Sequence, residues 1–237
     1  MIGRTIILDI ETAAGAIDLI PSDMEAPGNL KDPNKIKESL KKKRQELTDR
    51  AALDWVTGKV VAVGIMDIDG SPTAICCDTE AHTLENMWEH LANEITVQTT
   101  SDKTTQFFVT KVVTFNGTGF DIPFLRWRMA VNGIDNCRPD IFSSYSRYAR
   151  GVHIDLYNYL TEFGTSTRWK GGQTLDFFCR VFDIDIPDNS GISGRDVPAL
   201  WAKGKTAPII KHMKADLERT AALYRRIEQW LPEDLRY

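Results

Sequence analysis

Apolar positions along the chain fall into two rhythms, and the switches between them mark out the elements. Ile6, Ile7, Leu8 and Ile10 form one short apolar run, and Val60, Val61, Val63, Ile65 and Met66 form another. Short runs of this kind, rich in β-branched residues, predict strands over 5–10 and 60–66. Asp69-Gly70 is a turn signal, so residues 73–77 are predicted to fold back as the second arm of a hairpin. A further strand is predicted over 107–115. The other rhythm is helical. Leu84, Met87, Trp88, Leu91 and Ile95 recur at three- and four-residue spacing and predict a helix over 83–95. Ile122, Leu125 and Met129 give a buried stripe to a helix opened by Asp121, with Pro123 in its first turn and Gly133 past its end. Helices are also predicted over 33–53, 154–163, 174–182, near Val197, and over 208–230.

The order of strand, hairpin, helix, strand and helices predicts an α/β fold: one domain over 1–237, built on a mixed β-sheet flanked by helices. The lysine-rich segment 31–59 is then a basic helical insertion after the first strand. It carries nine basic against five acidic residues, which suits either a phosphate-facing arm or a solvated helix face. The whole chain has a formal charge of -4, which argues against non-specific coating of nucleic acid. At 42% hydrophobic, its 237 residues can bury a substantial core. No apolar run approaches the roughly 20 residues that span a bilayer, so no membrane association is expected. Cys76, Cys77, Cys137 and Cys179 include no CxxC spacing, so reduced thiols in a cytoplasm are expected rather than a disulfide framework or a zinc site.

Candidate chemistry begins at the end of the first strand. Asp9 and Glu11 are two residues apart and so project from the same face, with Ile6, Leu8 and Ile10 on the other. Two like charges at the end of a buried strand repel each other and are costly to desolvate, and a divalent cation is the simplest offset. On its own, Asp-x-Glu also reads as ordinary surface carboxylates. Asn116, Phe120 and Asp121 lie where a strand passes into a helix, the usual place for sites in α/β sheets, although Asp121 also reads as a helix N-cap. His212 and Asp216 are four apart in the last helix and share a face, which also suits a surface pair. Asp155 is a fifth carboxylate, read as an N-cap, and Arg219 is expected to pair with a neighbouring acid.

Taken in order, TIILDIET, FNGTGFD and HMKAD resemble the three motifs of the DEDD, or DnaQ-like, 3′-5′ exonucleases of ribonuclease-H-like fold. The stretch from His153-Ile154-Asp155-Leu156 through Gly194 and Val197 to Asp216-Leu217-Glu218-Arg219-Thr220 is most similar to stand-alone exonucleases related to the proofreading domain of family-B DNA polymerases. The third motif has the four-residue spacing of the tyrosine branch but carries His212 where that branch has Tyr.

The resemblance implies a metal-dependent enzyme that removes nucleoside monophosphates from the 3′ end of single-stranded or frayed DNA. Its cofactors would be two Mg2+ or Mn2+ ions, with Asp9, Glu11 and Asp216 on the nucleophile side, Asp9 bridging, and Asp121 reaching the second ion through water. His212 would take the proton of the attacking water or orient that water. Thr12, Asn116 and Phe120 would contact the substrate strand. The implied partners are a single-stranded nucleic acid 3′ end, DNA ahead of RNA, and a separate polymerase or other replication or repair proteins. Two other readings are a binding module on the same fold that has lost catalysis, and an endonuclease of ribonuclease-H type.

Overall fold

The protein is described by a computed structural model covering residues 5–94, 98–99, 105–106, 111–135, 153–165, 172–186 and 190–232. Cys137, residues 107–110 of the predicted third strand, and Ile95 at the end of the predicted second helix lie outside these residues.

Five strands form the main sheet in the order β3-β2-β1-β6-β7. The central strand β1, Thr5–Ala14, pairs antiparallel with β2, Gly58–Asp67, and parallel with β6, Lys111–Thr114. β3, Thr73–Ile75, closes the predicted hairpin on one edge. β7, His153–Asp155, pairs parallel with β6 on the other. A two-stranded ladder of β4, Gln98–Thr99, and β5, Thr105–Gln106, stands apart.

Alternation along β1 sorts its side chains between two dry layers. Ile6, Leu8 and Ile10 pack with Leu84, Met87 and Leu91 of α2, Glu80–Glu94, and with Ile122, Leu125 and Met129 of α3, Asp121–Val131. Ile7 faces the other way, against Met213, Leu217 and Ala221 of α7, Thr206–Ile227. α4, Leu156–Leu160, α5, Leu175–Val181, and α6, Val197–Ala202, complete that second layer.

Several boundaries differ from the sequence reading. β1 runs past its predicted end at residue 10 to Ala14, held by its ladder with β2, so Asp9 and Glu11 lie within the strand and not at its end. The helix predicted from Ile154 begins at Leu156, because residues 153–155 extend to pair with β6 and Asp155 caps the helix that follows. The lysine-rich helix α1, Pro33–Asp49, is capped by Asp32 and ends short of Leu53, giving way to a 3-10 turn over Ala51–Leu53. α1 has no buried residue, whereas Ala51 and Ala52 are buried. The basic helix thus lies on the surface, and the turn after it is part of the packed body.

Candidate active site

The site is assembled where the acidic stretch of β1, beyond its pairing with β6, meets α7. Asp9 and Glu11 share the face of Ile7, and Glu11 is only 8% exposed. Opposite Asp9 in the ladder stands Gly64 of β2. A Cβ at Gly64 would lie 2.7 Å from Met213 Cγ and 2.9 Å from Leu217 Cδ1, closer than real contacts allow. The missing side chain therefore lets α7 rest directly on the sheet. His212 and Asp216, each one residue before a contact residue, are carried in with it. His212, itself buried, has Nε2 3.7 Å from Glu11 Oε1 and 3.7 Å from Asp216 Oδ2. That spacing leaves the imidazole between the two carboxylates at a distance a bridging water can close.

Asp121 reaches the same place from the other side of β1. The ladder between β1 and β6 ends at Ile7 and Val113, and beyond it the Ile10 N–H donates to Asp121 Oδ1 at 3.1 Å. The N-cap reading of Asp121 is thereby corrected. It is the first helical residue, Phe120 holds the cap position without a side-chain bond, and the carboxylate serves a strand 111 positions away. A buried N–H beyond the end of a ladder needs an acceptor, and Asp121 provides it.

Burial and mutual repulsion both act on these acids. Burial pushes the Asp9 carboxyl well above the usual carboxylate range, and the charges of Asp121, Asp216 and Glu11 add to the effect. Asp121, 3% exposed, is pushed up to about 7, chiefly by burial, against the pull of hydrogen bonds from its own and the Ile10 N–H. Oxygen-only donors carrying unneutralised charge suit a hard divalent cation. Among the described residues, however, no three His, Cys, Asp or Glu side chains are already closed into metal-holding geometry. Arg219 pairs with Asp216 and with Asp176 of α5, the acidic neighbours expected for it.

The remaining predicted residues take different positions. Thr12 is buried and donates its hydroxyl to Ala52 O at 2.6 Å, tying the end of β1 to the 3-10 turn. Asn116 is exposed at a φ of 65°, and Phe120 is half-buried with its ring 5.3 Å from that of Phe124. Asp155 does more than cap α4 through the Tyr157 N–H. It also accepts from the Asn116 N–H at 2.8 Å and the Thr118 N–H at 2.9 Å, so it moulds the loop that presents Asn116. The turn at Gly194–Asp196 sits over Glu11, with an added Gly194 Cβ 3.9 Å from Glu11 Oε2. Ser193 holds the Asp196 carboxyl below its ordinary value through its N–H and hydroxyl, and the nearby His212 adds to this. Sequence reasoning missed Gly64, the loop role of Asp155 and the placement of Asp196. A glycine inside an apolar strand was the one visible signal, since it often marks a close approach of another element.

Comparison with known proteins fits this architecture. An uncharacterized protein of Methanocaldococcus jannaschii is 25% identical over 184 residues, which cover 75% of this chain and 90% of that protein. Among solved structures, the family B DNA polymerase of Pyrobaculum calidifontis matches 96% of this chain with a TM-score of 0.55 and 18% identity. The chain spans only 25% of the polymerase's length. E. coli exonuclease I in complex with a dT13 oligonucleotide matches 97% of this chain and 42% of its own, at a TM-score of 0.44 and 10% identity. The fold is therefore the ribonuclease-H-like fold of these exonuclease domains. A family model covers residues 53–233, which include Asn116, Phe120, Asp121, His212 and Asp216 but not Asp9 and Glu11. By that match the chain belongs to the family described as predicted 3′-5′ exonucleases related to the exonuclease domain of PolB.

Proposed function

We propose that the protein is a divalent-cation-dependent 3′-5′ exonuclease that releases nucleoside 5′-monophosphates from single-stranded or frayed DNA ends. The observation that carries this reading is the convergence of Asp9, Glu11, Asp121 and Asp216 around the middle of β1, with His212 at 3.7 Å from two of them. Family membership supports DNA ahead of RNA, through its relation to a DNA polymerase's exonuclease domain.

Asp9, Glu11 and Asp216, with Asp121, would hold two Mg2+ or Mn2+ ions. Bound divalent cations supply Lewis acidity toward the scissile phosphate and stabilise charge on the departing 3′-oxygen. The chain's own residues do the rest. His212, between Glu11 and Asp216, takes the proton of the attacking water at Nε2. Arg219, paired with Asp216, fixes the orientation of that carboxylate. Thr12 and the Asn116 loop flank the terminal nucleotide, and Phe120 offers an apolar surface to a base or sugar. Among the described residues no helix is long and apolar enough to cross a membrane. We place the enzyme in the cytoplasm, acting for a separate polymerase or other replication or repair proteins.

The test is a 5′-labelled oligonucleotide incubated with Mg2+ or Mn2+. A ladder shortening from the 3′ end is expected. Internal cuts would assign the protein to the endonucleases, and an unchanged strand that still binds would make it a catalytically silent binding module. His212→Ala is expected to slow hydrolysis by about 100-fold. Full activity of that variant across pH would remove His212 from the proton transfer.

A further inference from the structure

Next to Phe120, in the loop that leads into Asp121, lies a pair of exposed tryptophans that the proposed chemistry does not use. Trp55, in the loop between the 3-10 turn and β2, and Trp127 of α3 have ring centroids 5.5 Å apart with planes tilted 31°. Both are exposed, Trp127 at 43% and the adjoining Leu53 at 62%. Arg126 places its guanidinium 5.2 Å from the centre of the Trp127 ring, within cation–π range. Next to this pair opens a cavity of about 250 Å3 lined by Leu53, Trp55, Gly119, Phe120 and Pro123. It therefore begins at Phe120, in the loop that leads into Asp121.

The platform is built rather than incidental. Arg128 donates to Trp55 O at 3.2 Å while its Nε and a terminal nitrogen hold Glu80 at 2.9 and 2.5 Å. Glu80 in turn accepts the Val60 N–H at 2.7 Å. The loop carrying Trp55 is thus locked to α2, α3 and β2 at once. Gly58 allows it to lie flat, since a Cβ there would meet Asp54 O at 2.8 Å and Phe124 Cζ at 2.9 Å. Asp54, the one acid lining the cavity, turns its carboxylate onto the Val56 N–H at 2.9 Å.

We infer that Trp55, Trp127 and the cavity at Phe120 form a base-stacking subsite for single-stranded nucleic acid, holding nucleotides upstream of the one at the carboxylates. The inference rests on the exonuclease reading and names the path its substrate takes. Exposed indoles stack any base and so grip a strand without reading its sequence. Arg126 adds a positive charge beside the Trp127 ring, suited to a phosphate backbone. The cavity is smaller than a cofactor or drug-sized site, which suits one flat base. The cavity shares Phe120 with the loop that carries Asp121, which favours the substrate strand over a protein partner as its occupant.

The test is binding of oligothymidylates of two and eight nucleotides in EDTA, read by tryptophan fluorescence and by anisotropy of a 5′-labelled strand. Wild-type protein is expected to bind the eight-mer more tightly and to show fluorescence quenching. Trp127→Ala and Trp55→Ala should weaken the eight-mer by about 5- to 100-fold. Both should leave the dinucleotide, and Mg2+-dependent hydrolysis of thymidine 5′-monophosphate p-nitrophenyl ester, unchanged. Trp127→Phe, which keeps a stacking ring, should recover most of the loss and shows that the alanine effect is not misfolding. Unchanged eight-mer affinity in the alanine variants, with the ester still hydrolysed, overturns the subsite alone. So does a dimer in sedimentation that Trp127→Ala converts to monomer without altering affinity. Wild-type protein that neither binds a strand nor hydrolyses the ester overturns the exonuclease reading as well.

Discussion

Two arginine–carboxylate networks cross the molecule on opposite faces of the sheet, and they are built to different standards. On the α2 and α3 side, Glu80 is saturated. It accepts two bonds from Arg128, one from Asn132 Nδ2 and one from the Val60 N–H, and the Arg128 and Glu80 side chains are only 12% and 9% exposed. Charge is matched one to one and the pair ties three elements together. On the α7 side, Arg219 holds Asp216 and Asp176, but the middle of β1 also gathers Asp9, Glu11 and Asp121. One guanidinium faces several acids. The first network locks the structure, whereas the second leaves a charge deficit that a substrate's cations would fill, at a cost to the free protein.

The largest expected effect follows from that deficit. Asp9→Ala should reduce exonuclease turnover by about three orders of magnitude or more, while raising the melting temperature of the metal-free protein because one repelling charge is gone. A single-turnover assay beside a thermal melt in EDTA reads both. A fall in melting temperature would mean that the acids are already neutralised within the fold.

Breaking the closed network should have the opposite signature. Arg128→Ala strands Glu80 in a nearly dry position and should cost about 3 kcal/mol in urea denaturation. Turnover on the short p-nitrophenyl ester should hold as long as the protein is folded. A loss of ester turnover at full stability would dissolve the distinction between the two networks.

Gly64→Ala probes the seat of α7. Its new methyl would press on Met213 and Leu217, costing about 1–3 kcal/mol. By shifting His212 and Asp216 it should slow hydrolysis by about 10- to 100-fold. An unchanged rate would mean that the helix does not need this close seat.

The smallest effect is on pH dependence. Asp121 titrates near pH 7 when folded, above the ordinary carboxylate value of 3.8. Between those values the native protein keeps a proton that the unfolded chain has lost, so stability of the metal-free protein falls as pH rises through this window and levels off above it. Melting in EDTA at pH 5 and pH 8 should show the decline, and Asp121→Asn should flatten it.

Much of this was legible from the chain. Alternation around Ile6, Leu8 and Ile10 separated the core face of β1 from its acidic face, and the turn at Asp69-Gly70 joined β2 to β3. Three- and four-residue spacing found α2 and α3, because each buries one stripe against one layer. His153-Ile154-Asp155 was not legible as a strand. Three residues carry no period, and they extend only because β6 supplies a parallel partner 41 positions earlier in register with Val112. Asp121 looked like a cap because capping is local, whereas its acceptor role depends on an unpaired N–H in a distant strand.

Local pattern by itself determined the element types, the order of the chemistry-bearing residues and the pairing of Asp9 with Glu11 on one face, since each follows from periodicity over a few residues. Tertiary structure decided that four acids and a histidine share one place, that Arg219 restrains one of them, and that two tryptophans far apart in sequence stack beside Phe120. Those facts depend on how close α7 and α3 come to β1. That approach is set by packing at positions such as Gly64 and Gly58, where what matters is the absence of a side chain against a neighbour that sequence alone does not name.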